Sequence, residues 1–364
     1  MKIIVTGGGT GGHIYPALAL INYLQTVESD LKVLYIGTEK GLESKIVPEA
    51  GIDFQSIDIQ GFRRSLSLSN FNTIRKFFKS TSQAKKIIQN FKPDVVLGTG
   101  GYVAGPVLYA ASKLNIPTVI HEQNSIPGIT NKFLGKRVSK ITLAFEEAQH
   151  YFPKEKTSYV GNPRSQELVM MTKSNLLVSQ FGLSADKKTV LIFGGSRGAM
   201  TINDAVLETL PVFKNTDYQV IYASGNIYYD ENQSIFEKYN QEKNIVIRPF
   251  LNNMLEILRN SDLIISRAGA TTLAEITAIG LPAVLIPSPN VTADHQTKNA
   301  QALVNHGAAM MISDSEFDGK SLLSSISEIF ADQTKYEKMS QASKEMGITD
   351  ASQRLYTLIK EIIQ

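Results

Sequence analysis

The sequence predicts an α/β protein of two doubly wound parallel-sheet domains, and three observations carry that expectation. A short apolar strand runs into a glycine-rich loop and then a helix twice, at residues 2–13 (KIIVTGGGTGGH) and 189–199 (TVLIFGGSRGA). Apolar runs alternate with helical segments along the whole chain, as parallel strands joined by right-handed crossovers require. At 364 residues the chain is long enough for two cores.

In the first half the expected strands are 2–6, 33–37, 94–98, 118–121, 140–144 and 157–160; in the second they are 189–193, 218–222, 245–248, 262–266, 283–287 and 308–312. Each is a near-continuous apolar run, the pattern of a strand covered on both faces. Glycine loops leading into helix N-termini suit an anionic or strongly polar ligand, so the domains read as Rossmann-like and facing a cleft. The chain should turn between them at Gly161-Asn162-Pro163-Arg164. The expected domains are therefore 1–163 together with a C-terminal helical segment 345–364, and 164–344. The amphipathic stretch 351–364 is expected to pack back on the first domain. No low-complexity segment or short repeat interrupts this scheme.

Composition narrows the function. Hydrophobic residues make up 43% and charged residues 20%, ordinary for a globular protein, and no run of about 18 apolar residues suggests a span. Met1 leads directly into a strand with no signal-peptide pattern, so the expectation is a cytoplasmic protein. The absence of cysteine excludes disulfides, thiolate metal sites and thiol nucleophiles. A net charge of +3 gives no case for nucleic acid. The charge is unevenly placed, however. Residues 59–93 carry no acid and eight bases: Arg63, Arg64, Arg75, Lys76, Lys79, Lys85, Lys86 and Lys92.

Several motifs point to chemistry, each beside a plainer role. Gly7 to Gly12 satisfies a dinucleotide fingerprint trivially, being five glycines in six residues, and the acid expected after the second strand falls late, at Glu39. No phosphate-loop lysine motif, Asp-x-Asp, zinc-ligand pair or Gly-x-Ser-x-Gly elbow occurs. His13 opens the predicted helix 14–25, where the helix N-terminus disfavours imidazolium; a neutral ring there suits a general base, whereas a polar helix-start residue is the plainer role. After strand 118–120 comes His121-Glu122-Gln123-Asn124, either part of a ligand crevice at the carboxyl ends of the strands or helix-end pairing. Thr272-x-x-Glu275 fits a capping box, and its carboxylate equally suits a ribose diol. Asp294, His295, Gln296 and Asn299 offer the mixed donors and acceptors that a hydroxyl-rich ligand needs.

Taken together, residues 6–18, 100–106, 121–128 and 193–199 resemble the MurG family, with residues 266–269, Glu275 and Gln296 continuing the match along the whole chain. These are UDP-N-acetylglucosamine:undecaprenyl-diphospho-muramoylpentapeptide N-acetylglucosaminyltransferases of peptidoglycan synthesis. The resemblance implies a GT-B fold and an inverting transfer from UDP-GlcNAc to the C4 hydroxyl of the lipid-linked muramoyl-pentapeptide. It implies no metal and no cofactor. His13 is then the base, with Glu122 the alternate. Thr10, Gly11, Gly12 and Asn124 line the sugar and acceptor side. Ser196 meets the diphosphate, Glu275 the ribose, Gln296 the sugar hydroxyls, and the backbone near Phe250 and Leu251 the uracil. The turn Ala270, Thr271, Thr272 and Leu273 belongs with the donor. Two positions depart from the family pattern: Pro163 precedes Arg164 where some members place Val, and Arg197 replaces a frequent glutamine. Both arginines are counted with the diphosphate.

The same resemblance implies a peripheral protein on the cytoplasmic face of the cell membrane. From Phe71, an apolar stripe Ile74, Phe78, Thr81, Ala84 and Ile88 is expected to face the core. Phe77 falls off that stripe beside Arg75, Lys76 and Lys79, an arrangement suited to anionic lipid; a solvated basic face is the plainer reading. The rivals are a UDP-GlcNAc 2-epimerase, which has a soluble substrate and no use for such a patch, and a non-catalytic nucleotide-sugar-binding partner.

Overall fold

A computed structural model describes residues 1–59, 69–195, 198–291 and 294–364, with the backbone alone for 69–74. The chain forms two compact units, residues 1–167 with 350–364, and residues 168–349. The helix Pro163–Met170 runs through the first boundary, and the return passes between the helices Gln333–Glu345 and Ala351–Ile363. The helix ending at Glu345 thus lies wholly in the second unit, and only the last helix returns to the first.

The first unit holds β1 (Lys2–Gly7), β2 (Lys32–Gly37), β3 (Phe54–Ser56), β4 (Val95–Gly100), β5 (Thr118–Glu122), β6 (Lys140–Leu143) and β7 (Thr157–Tyr159). They make a seven-stranded sheet in the order β3-β2-β1-β4-β5-β6-β7, every pair parallel. The second holds β8 (Thr189–Phe193), β9 (Gln219–Ala223), β10 (Ile245–Arg248), β11 (Leu263–Ser266), β12 (Ala283–Leu285) and β13 (Ala309–Met311). Their order is β10-β9-β8-β11-β12-β13, again all parallel. In both sheets the order reverses beside the first strand, so β1 and β4, and β8 and β11, flank a topological switch point, where open α/β sheets bind ligands.

Burial explains the architecture. Ile3 and Val5 feed a core on one face of the first sheet, and Ile4 feeds a core on the other. The first of these is completed by Leu355, Leu358 and Ile359 from the C-terminal helix, which packs on this unit as its amphipathic pattern leads one to expect. Tyr356 and Lys360 then reach Glu28 at 2.6 and 3.0 Å.

The long helix Ser69–Phe91 corrects the expected core stripe. Ala84 and Ile88 are buried, but Phe78 is 61% exposed, and Phe77 turns inward. Its ring lies 5.8 Å from Tyr109 and 6.0 Å from Phe133. The helix meets the helix Ala104–Lys113 where Gly105 leaves room for that ring, which places Phe77 rather than Phe78 on the packed side. Arg75 and Lys79 are exposed, and Lys76 and Lys79 share the carboxylate of Asp58 at 3.9 and 3.8 Å. Arg63, Arg64, Leu66 and Leu68 lie outside the described residues, as do the side chains of Phe71 and Ile74.

Candidate active site

The loop after β1 is a backbone structure closed by its neighbours. Thr10 is the extended N-cap residue of the helix Gly11–Val27, which begins earlier than the expected residue 14 and places His13 in its first turn. Gly8 donates its N–H to the Gly100 carbonyl at 3.3 Å, joining this loop to the one after β4. That approach requires glycine at position 101: its φ is +81°, and a β-carbon there would stand 2.4 Å from the Gly8 oxygen.

His13 is half-buried, with Nδ1 2.9 Å from the Gly8 carbonyl oxygen. A carbonyl only accepts, so Nδ1 carries a proton, and in the neutral form of the ring the lone pair is on Nε2. Among the described residues nothing hydrogen-bonds Nε2. The ring edge lies against Gly100, where an added β-carbon would come within 3.1 Å of Nε2. A first-turn imidazole in this tautomer is equipped to take a proton.

The loop after β5 is different, and it corrects the expectation that Glu122 is an alternate base. Glu122 is buried, and its carboxylate accepts four hydrogen bonds: from the Asn124 N–H at 2.9 Å, the Asn124 amide at 3.1 Å, the Gly128 N–H at 3.1 Å and the Asn131 amide at 2.8 Å. Its oxygens shape the turn leading into the helix Ile129–Gly135 and have no remaining place for a substrate proton. Asn124 is thereby fixed by its own N–H and amide donors, leaving its side-chain oxygen for other work. His121 is fully buried, donating from Nε2 to the Gly161 carbonyl and accepting at Nδ1 from Gln123, each at 2.9 Å. Burial pulls its pKa down to about 4 despite the Gly161 carbonyl, which keeps the ring neutral.

Arg164 lies in the linker helix of the first unit. Its guanidinium pairs with Glu167 at 2.6 Å and sits 5.2 Å from the Tyr15 ring centroid. Tyr15 in turn lies against Gly11, so the arginine braces the glycine loop from outside.

In the second unit the helix Met200–Phe213 follows β8; Ser196 and Arg197 lie outside the described residues. After β11 the helix Ala270–Ile279 takes Gly269 as its N-cap, without a side-chain cap. Thr272 is therefore inside the first turn, and the capping box expected of Thr272 and Glu275 does not form. Ala270 and Leu273 are buried; the Leu273 N–H is taken by the Gly269 carbonyl at 3.0 Å, so Ala270 has its first-turn N–H to offer and Leu273 does not, and the buried Thr271 hydroxyl has no partner among the described residues. Arg267 ties the carboxyl ends of β11 and β12 together: it bonds Asp314, the Ile286 carbonyl at 3.1 Å and the Pro287 carbonyl at 3.3 Å. Gln296 accepts the Ser288 N–H at 2.9 Å, which aims its amide NH2 elsewhere. Asn299 corrects an expectation: it is fully buried and reaches the Ala268 carbonyl at 3.4 Å, so it braces the loop before the helix and cannot touch a sugar. Leu251 is buried, and Phe250 beside it is exposed.

Sequence reasoning missed Glu43. Its carboxylate is completely buried and accepts from the Gly9 N–H at 3.0 Å, the Thr38 N–H at 3.0 Å and the Thr38 hydroxyl at 2.7 Å. An acid opening a short helix is ordinary by spacing; only the fold brings it under the glycine loop.

Comparison with known proteins extends this picture. Residues 3–143 match the glycosyltransferase family 28 N-terminal domain and residues 189–355 the glycosyltransferase family 28 C-terminal domain. The chain is 57% identical over 362 residues to the UDP-N-acetylglucosamine–N-acetylmuramyl-(pentapeptide) pyrophosphoryl-undecaprenol N-acetylglucosamine transferase of Lactococcus lactis subsp. cremoris, covering 100% of this chain and 99% of that protein. It superimposes on the crystal structure of Acinetobacter baumannii MurG with a TM-score of 0.76 at 29% identity, over 99% of each chain. The UDP-GlcNAc 2-epimerase of Neisseria meningitidis bound to UDP-GlcNAc shares the fold, with a TM-score of 0.70 at 16% identity over 99% of this chain and all of that one. Two parallel-sheet units and these matches make the fold GT-B. The chain belongs to glycosyltransferase family 28.

Proposed function

We propose that this chain is an inverting N-acetylglucosaminyltransferase that moves GlcNAc from UDP-GlcNAc to the C4 hydroxyl of a lipid-linked muramoyl-pentapeptide. The observation that carries this reading is the 57% identity to such a transferase across the full chain. The open Nε2 of His13 supplies the chemistry. As the acceptor oxygen bonds to the anomeric carbon, its proton passes to His13 Nε2. The bond from that carbon to the diphosphate oxygen breaks, and its electron pair leaves with UDP. N–H groups opening the helices Met200–Phe213 and Ala270–Ile279 suit the charge that develops there.

The second unit holds the donor in this proposal. Glu275 takes the ribose, the Gln296 amide the sugar hydroxyls, and the backbone near Leu251 the uracil; Ser196 and Arg197 are assigned to the diphosphate. The first unit supplies His13, the Thr10–Gly12 turn and the Asn124 oxygen to the acceptor. The deciding measurement is UDP release from UDP-GlcNAc with and without a lipid I analogue. Release only with the analogue supports the transferase. Conversion of the sugar without acceptor would make the chain an epimerase, and binding without turnover an accessory protein.

The acceptor also gives a use for the exposed face around Phe78, which takes the place the sequence reading gave to Phe77. Phe78, Ile129 and Phe133 are exposed there, and Arg75, Lys79, Lys132 and Arg137 stand on the same helices or just beyond them. Bases attract anionic lipid at roughly 1 kcal/mol each, and exposed apolar side chains insert shallowly. No helix among the described residues is long and apolar enough to cross a membrane. We therefore expect peripheral, salt-sensitive binding to anionic vesicles, lost on charge reversal at Arg75, Lys76 and Lys79 with activity on a short-chain acceptor retained. Binding that survives those reversals would place the contact elsewhere.

A further inference from the structure

We propose that Glu43 is a positioning residue that sets the proton on His13 through one shared peptide group; this rests on the reading of His13 as the base. The peptide joining Gly8 to Gly9 has its two ends in different hands. Its N–H, on Gly9, donates to Glu43 Oε2 at 3.0 Å. Its carbonyl, on Gly8, accepts from His13 Nδ1 at 2.9 Å. A peptide whose N–H meets a carboxylate is polarised toward its oxygen, and chained hydrogen bonds strengthen one another. The carboxylate thus makes the Gly8 oxygen a stronger acceptor, holds the proton on Nδ1 and leaves the lone pair on Nε2. When the ring takes up the acceptor's proton, the same oxygen faces the imidazolium. Asp and His in a hydrolase triad make that contact directly; here one peptide stands between them.

The surroundings are built around the carboxylate. Thr38 occupies Oε1 with its N–H and its hydroxyl, at 3.0 and 2.7 Å, so the group cannot rotate off Gly9. Glycines enclose it: a β-carbon on Gly8 or Gly41 would lie 2.4 or 2.3 Å from Oε1, and one on Gly37 would lie 2.6 Å from its Cγ. Glu43 itself is fully buried, out of reach of any substrate. Gly9 has φ +82°, a conformation that glycine adopts freely and that presents this peptide to both partners.

The test is the ring tautomer of His13, read by nitrogen NMR on protein carrying ring-labelled histidine; the chain has five, and His13→Gln assigns the signal. The unaltered protein should show a protonated Nδ1 and a bare Nε2. In Glu43→Gln the amide oxygen stays with the two Thr38 donors, so the amide NH2 meets the Gly9 N–H, two donors face to face. The ring should then move toward the Nε2-protonated form, with kcat lowered about 10- to 100-fold and KM for UDP-GlcNAc nearly unchanged, as for other groups that act through a neighbour. Thr38→Val keeps the carboxylate on Gly9 and should keep the tautomer, even if it melts earlier. Glu43→Gln added to His13→Ala should cost no further kcat. A ring protonated on Nε2 in the unaltered protein, or an undiminished loss of kcat in the His13→Ala background, would overturn the proposal whether or not the variant folds well. Near-normal kcat in His13→Ala, with a tautomer that Glu43→Gln still converts, would overturn the base reading and uphold the hold of Glu43 on the ring.

Discussion

The ends of β1 and β5 are built from the same parts and do opposite things. Each offers a histidine, a buried carboxylate and a glycine-bearing turn. After β5 every polar atom of His121 and Glu122 is spent inside the protein, on Gly161, Gln123, Asn124, Gly128 and Asn131. After β1 the carboxylate is withdrawn to hold backbone, and the imidazole is left with one nitrogen open. A motif alone does not distinguish a residue that acts from one that holds the acting residue. The count of unspent lone pairs does.

That contrast breaks first at Glu122. Glu122→Ala removes the shared acceptor of four N–H donors around a partly buried turn, where an unsatisfied donor costs roughly 1–3 kcal/mol when it is shut off from water. We expect a loss of about 4 kcal/mol in urea unfolding. Full stability would mean that the turn does not depend on this carboxylate. His121 comes next. Its pKa is near 4 folded and about 6.5 unfolded, so between those values the unfolded chain binds more protons. The contribution of the neutral ring is complete above about pH 6.5 and is lost as pH falls toward 4, about 3 kcal/mol in all. Urea midpoints across this window should slope less in His121→Gln than in the unaltered protein; parallel slopes would mean that the buried ring takes up protons without unfolding.

The open nitrogen predicts the catalytic effect. His13→Ala should lower kcat by about 10²-fold or more with UDP-GlcNAc affinity nearly intact, since a base acts in the transition state and not on the donor. Near-normal turnover would end the distinction between the two strand ends.

How much of this was legible in the sequence follows from what each feature depends on. Strands buried on both faces announce themselves as apolar runs, and of the thirteen strands among the described residues twelve lie where a strand is expected. The exception, β3 (Phe54–Ser56), is a short edge strand with exposed residues. His13 was legible because a glycine loop and a helix start are local. Glu43 was not, because its partners lie across the loop after β1 and its role exists only once β1 and β2 pair. The stripe on Ser69–Phe91 missed by one residue for a related reason: periodicity gives an apolar face, but the neighbouring helix chooses between adjacent phenylalanines. The capping box failed because the helix begins at Ala270, one residue after Gly269, and a spacing rule does not fix the first turn.

Glu275 is where the comparison is sharpened most finely, because it is a third buried carboxylate and the question of which kind it is stays answerable. It does not cap its helix, whose N-cap is Gly269. If it resembles Glu122, its worth is to the fold, and Glu275→Gln should lower stability and leave UDP affinity alone. If it serves the ribose, as proposed, the amide keeps one acceptor oxygen but loses the charge that strengthens both hydrogen bonds to a diol. UDP should then bind about tenfold more weakly, equivalent to about 1.4 kcal/mol, with unfolding shifted little. UDP titration and urea unfolding on the same preparation separate the two outcomes. Unchanged UDP affinity in a folded variant would place Glu275 with Glu122, among the carboxylates that hold rather than act.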